Sequence, residues 1–126
     1  MISFELKSST FDGLGAHGGY TDYTYYINYD LQYNRVLDAA TCFLPGVKDL
    51  IAKELYGNYR DELDEDNLFV PDNFKIDDNS ITFFYPNCTI APCVIWNISA
   101  TIPIEDILKY ASYYFKALFM RISKNK

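Results

Sequence analysis

The sequence predicts an α+β fold, an antiparallel β-sheet with helices packed on one face. Three observations lead there: period-two alternation of apolar and polar residues at several separated segments, turn-forming clusters between them, and two stretches at helical spacing. With 126 residues, 49% hydrophobic and 22% charged, the chain has an ordinary globular balance and the size of one domain spanning 1–126. Twelve tyrosines and nine phenylalanines bring the aromatic share to 17%, a composition suited to half-buried strands and to binding surfaces.

From Ile2 to Ser8, Ile2, Phe4 and Leu6 alternate with Ser3, Glu5 and Lys7, the pattern of a strand with one buried face. Ser9 to Gly19 holds Gly13, Gly15, Gly18 and Gly19 and reads as a loop. The longest strand candidate follows from Tyr20 to Leu31, with Tyr23, Tyr25, Ile27 and Tyr29 on one face and Asp22, Thr24, Tyr26, Asn28 and Asp30 on the other. Gln32 to Arg35 then makes a turn and Val36-Leu37 a strand end, so this region is an antiparallel meander. Asp38 is placed to cap a short helical turn through Phe43, and Pro45-Gly46 ends it. Val47, Leu50, Ile51 and Leu55 fall at helical spacing up to about Gly57.

Phe74-Lys75-Ile76 and Ile81 to Tyr85 flank Asp77-Asp78-Asn79-Ser80 as a hairpin. Val94 to Ile102 alternates again as a further strand. Pro103 leads a helix with Glu105 and Asp106 in its first turn, where proline and acids are both favoured. That helix is expected to run unbroken over about 104–122. Its amphipathic, aromatic-rich segment (Tyr110, Tyr113, Tyr114, Ala117, Leu118, Met120, Ile122) suits docking on the sheet or on a partner, with a membrane surface as a third and less favoured option, since the basic charges sit at the tip.

The net charge of −6 argues against nucleic acid, which needs clustered Lys and Arg, and suits a basic protein partner. No apolar run is long enough to span a membrane, and the N-terminus lacks the pattern of a signal peptide. The acidic run Asp61 to Asn67 has neither the glycine nor the glutamate that a calcium loop requires at its sixth and twelfth positions, so it reads as a solvated face. The lone histidine, His17, excludes a two-histidine metal site, and no nucleophile elbow presents a serine to it. No cofactor or metal is expected. Among three cysteines, Cys88 and Cys93 are spaced to close a small disulfide loop, or all three are buried thiols.

The order Gly15-Ala16-His17-Gly18, strand Tyr23 to Asp30, Leu37-Asp38 with Phe43, Phe74 before a turn, Ile81 to Tyr85, Ile90-Ala91-Pro92 and Ile102-Pro103 resembles the C-terminal domain of RsiV-like anti-sigma factors. That bacterial envelope domain, of unknown function in most members, is also found beside peptidoglycan deacetylase domains. The likeness covers about residues 8–108. It implies an extracytoplasmic α+β domain that, in its best understood members, binds lysozyme and catalyses nothing itself. Cys93 stands where the family usually has an aromatic residue.

The expected function is therefore non-catalytic binding or sensing of lysozyme or a cell-wall ligand. The expected ligand-binding residues are Gly15, Ala16, His17 and Gly18 in one loop and Ile90, Ala91 and Pro92 in the other, since loops on a rigid scaffold are where binding residues concentrate. Two alternatives stand beside it. One is an accessory domain of a peptidoglycan-modifying enzyme, and the other a structural domain that dimerises through its C-terminal helix.

Overall fold

The computed structural model describes residues 1–12, 19–59, 63–64, 67–86, 90 and 98–124, with the side chains of 8–12, 19–23 and 122–124 outside the description. Strands β1 (Ile2–Asp12) and β2 (Gly19–Asp30) form a long antiparallel hairpin, and β3 (Arg35–Val36) adds to the far side of β2. The tight connection between β2 and β3 is closed by Asn34 at φ 56°, a left-handed backbone that asparagine tolerates. Helix α1 (Ala39–Cys42) is capped as expected: the Asp38 side chain accepts the Thr41 N–H at 2.8 Å. Helix α2 (Val47–Tyr59) buries Val47, Ile51 and Leu55, the apolar positions read from the sequence. A second sheet, β4 (Phe74–Ile76), β5 (Ser80–Phe84) and β6 (Ser99–Pro103), is antiparallel throughout and has the order β4-β5-β6. The α+β class is as predicted, with the described strands divided between two sheets instead of gathered in one.

The register of the second sheet explains its single buried face. Phe74, Phe83 and Ala100 are mutual neighbours across three strands, as are Ile76, Ile81 and Ile102, so one side presents two apolar rows to α2 while Thr82 and Thr101 share a 3.0 Å hydrogen bond on the other. Phe43 sits at the centre of the core. Its ring lies 5.4 Å from Phe74, 5.4 Å from Phe83 and 5.3 Å from Phe115. Gly46, just before α2, packs against the Tyr110 ring: a Cβ there would lie 2.5 Å from it, so the ring would have to shift to admit any larger residue.

Two buried asparagines tie the sheets together. Asn73 accepts the Tyr26 N–H at 2.8 Å and donates to the Thr24 carbonyl at 2.9 Å, taking the place of a strand along β2. Its own carbonyl accepts the Phe84 N–H on β5. Asn28 donates to the Phe74 carbonyl at 2.8 Å and accepts from the Ser3 hydroxyl at 2.8 Å. These contacts reverse one expectation. The face of the hairpin turned to the body is the one carrying Asn28 and Asp30, because buried backbone edges need polar partners. The apolar alternation of β1 points outward, leaving Ile2 41%, Phe4 50% and Leu6 54% exposed, so the predicted burial of that face is overturned.

The expected unbroken C-terminal helix is also corrected. Helix α3 (Ile104–Ile107) passes into a 3-10 turn (Leu108–Tyr110), and Ala111 is extended at φ −88°, ψ 146° before helix α4 (Tyr113–Lys124) begins. Ala111 pairs with Phe43 as an isolated bridge, with the Leu44 N–H donating to the Tyr110 carbonyl and the Ser112 N–H to the Cys42 carbonyl. The Ser112 hydroxyl then accepts the Phe115 N–H at 3.1 Å as the cap of α4. Helix α4 docks on the body through buried Phe115 and Leu118. Among the described residues no helix is long and apolar enough to cross a membrane.

Candidate functional site

Of the seven residues expected to bind ligand, Gly15, Ala16, His17, Gly18, Ala91 and Pro92 lie outside the described residues. Ile90 is within them, fully buried in the core, and its carbonyl accepts the Asp64 N–H at 2.7 Å. Its side chain therefore belongs to the hydrophobic core. Cys88 and Cys93 also fall outside the described residues.

A different concavity is built by the described chain. A cleft of about 390 Å³ opens between α1, the start of α2 and the segment before β4, lined by Ala39, Ala40, Phe43, Leu44, Val70 and Asp72 with Pro45 and Val47. This volume is in the range of small-ligand and side-chain pockets. Its shape follows from local chemistry. Pro45 ends the connection after α1 and Val47 starts α2, so the chain turns sharply and exposes Leu44 on the rim. Opposite, Asp72 accepts the Ala39 N–H at 2.9 Å through Oδ1, which anchors the wall to the N-terminus of α1. The other carboxylate oxygen has no protein partner among the described residues, so a largely apolar trough carries one carboxylate in its lining.

Reactive groups near the cleft are muted. Burial pushes the Cys42 thiol up to about 12, and the Asp38 carboxylate adds to the effect, so at neutral pH it is a protonated thiol without nucleophilic character. Among the described residues no group of three metal-ligating side chains comes together.

A second polar cluster closes α4 onto the hairpin. Asp30, 2% exposed, accepts the Tyr114 hydroxyl at 2.8 Å and the Gln32 N–H at 2.9 Å, and the Arg121 guanidinium approaches to 3.8 Å. Burial by itself raises the Asp30 carboxyl, but the Tyr114, Gln32 and Tyr33 hydrogen bonds and Arg121 outweigh it and hold the group below its ordinary value. The Tyr114 hydroxyl is raised by burial and by donating to Asp30. Arg35 stacks 5.0 Å over the Tyr114 ring and Arg121 lies 5.6 Å from the Tyr33 ring. Cations, rings and carboxylate satisfy one another here, which makes the cluster a clamp holding α4 in place.

The sequence pointed to loops and missed the cleft, because its walls come from residues 39–47 and 70–72, segments that meet only after folding. The one signal available was the Leu44-Pro45 break between two short helical stretches.

Comparison with known proteins places the fold. The chain is similar to a crystal structure of a DUF3298 family member from Bacteroides fragilis NCTC 9343, at 22% identity and a TM-score of 0.71, over 87% of this chain and 48% of that one. It is also similar to a DUF3298 family protein from Pseudomonas aeruginosa PAO1, at 22% identity and a TM-score of 0.58, over 90% of this chain and 56% of that one. The chain thus spans about half the length of both solved proteins. No curated protein matches it. The profile of the family described as a protein of unknown function, DUF3298, matches residues 40–105, just over half of the sequence and the stretch holding most of the cleft, so the chain belongs to the DUF3298 family.

Proposed function

We propose that this domain is a non-catalytic binding module that works outside the cytoplasm and captures a basic protein of the lysozyme kind. The observation that carries the reading is the cleft between α1, α2 and the segment before β4, an apolar trough with the Asp72 carboxylate in its lining, one oxygen of which has no partner among the described residues. A long cationic side chain fits such a site: its methylene stem covers Phe43, Leu44 and Val70 while its charged head meets the carboxylate. An uncharged glycan finds no such complement there. The net charge of −6 supports attraction of a basic partner over distance, and the resemblance to the RsiV-like domain supports lysozyme as the first partner to try.

Titration calorimetry with a basic c-type lysozyme is the test. The unmodified domain is expected to give a saturable heat that weakens as salt rises. Asp72→Asn keeps an acceptor for the Ala39 N–H and so keeps the fold, and it is expected to weaken binding about tenfold or more with an unchanged melting temperature. Absence of heat from the unmodified domain would refute the lysozyme reading, and an Asp72→Asn domain that binds as tightly as the parent would refute the cleft as the binding site.

A further inference from the structure

The hairpin carries a second recognition feature, independent of the cleft. Strand β1 lies at the edge of its sheet, and among the described residues nothing pairs with its outer side. An edge of eleven residues without proline is a ready template for another strand.

Which backbone groups face outward follows from the contacts on the other side of β2. The Tyr26 N–H, the Thr24 carbonyl and the Asn28 carbonyl all bond away from β1, to Asn73 and Leu37. In an antiparallel ladder the two neighbours of a strand are served by alternate residues, so Tyr25, Ile27 and Tyr29 are the ones that bond β1. Their partners in the register are Leu6, Phe4 and Ile2. The N–H and C=O groups of Ser3, Glu5 and Lys7 therefore point to the open edge.

A second copy of the chain, added antiparallel, must pair through those same odd-numbered residues. The candidate registers differ in charge. Centring the two-fold axis on Glu5 or on Lys7 sets like charges opposite, and centring it on Phe4 sets Glu5 against Ser3. Centring it on Leu6 sets Glu5 of each copy directly against Lys7 of the other, twice, with the two leucines meeting on the axis. Glu5 and Lys7 are both exposed, with side-chain accessibilities of 48% and 76%, and already lie 3.9 Å apart on their own strand. Opposite charges across a ladder favour pairing and like charges oppose it. We propose that β1 is a self-association edge, on which a second copy of this chain docks antiparallel with Leu6 on the two-fold axis.

Sedimentation equilibrium of the 126-residue chain is expected to show a concentration-dependent dimer. Glu5→Lys alone and Lys7→Glu alone each replace two attractions with two repulsions and are expected to weaken the dimer about tenfold, while the double variant Glu5→Lys/Lys7→Glu restores it. Neither side chain is buried, so folding is expected to survive each change. A cross-link supplies a second readout. Facing residues on the axis form a non-hydrogen-bonded pair with Cα atoms about 4.5 Å apart, within disulfide reach, so Leu6→Cys is expected to give a covalent dimer under mild oxidation and Phe4→Cys, which faces Ser8, to give none. A chain that stays monomeric at all concentrations, a dimer indifferent to both single reversals, or equal cross-linking at positions 4 and 6 would each overturn the proposal.

Discussion

Phe43→Ala is expected to cost about 3–5 kcal/mol of folding stability, the range for truncating a buried phenylalanine. The ring touches Phe74 and Phe83 of the second sheet and Phe115 of α4, so it joins that sheet to the C-terminal helix. Its loss leaves a void bounded by rigid rings that cannot collapse into it. A domain of this size has about 5–15 kcal/mol in total, so the variant should unfold near the start of the parent's urea transition. Phe43 also lines the cleft and its backbone pairs with Ala111. Tyr113→Ala is the control, since that residue is 93% exposed and its change should stay within about 0.5 kcal/mol.

Asp30→Ala is expected to cost about 1–3 kcal/mol, because it leaves the Tyr114 hydroxyl and the Gln32 N–H without their acceptor at a part-buried place. Asp30→Asn retains an acceptor and should cost less. The two variants also separate the pH behaviour of the clamp. The folded-state value of Asp30 is depressed below its ordinary 3.8, and Asp38 is depressed too, by its bonds to Thr41. A depressed carboxyl contributes stability that is fully present above the unfolded value and is lost as pH falls through the folded value. Denaturation followed from pH 7 downward should therefore show stability falling below about pH 4, with a shallower fall in Asp30→Asn. Equal acid slopes in parent and variant would show that the clamp does not depend on the ionised carboxylate.

These two variants probe features that differ in how visibly the sequence announces them. The caps and periods were readable locally: Asp38 before Ala39, Val47-Ile51-Leu55 along α2, the Asp77 to Ser80 turn. Each depends on residues within a turn or two of one another. The orientation of the first hairpin was not readable, because alternation fixes which residues share a face and not which face turns inward. That choice was made by Asn73 and Asn28, whose amides bond a strand some 46–49 positions away. Ser112 offered a local clue to the interruption before α4, being a cap residue ahead of an aromatic run, but the extended Ala111 needs Phe43 as its partner. The cleft was hidden for the same reason. Apolar residues at 39–47 look like core until the segment at 70–72 leaves one side of them open.

On the proposed function, the cleft lined by Asp72 grips a cationic side chain of a partner protein. Amide hydrogen exchange of the domain with and without lysozyme tests this most directly. Slowed exchange concentrated in residues 39–47 and 70–72, weakened in Asp72→Asn, is the predicted result. Lysozyme bound with those two segments exchanging as fast as before would contradict it.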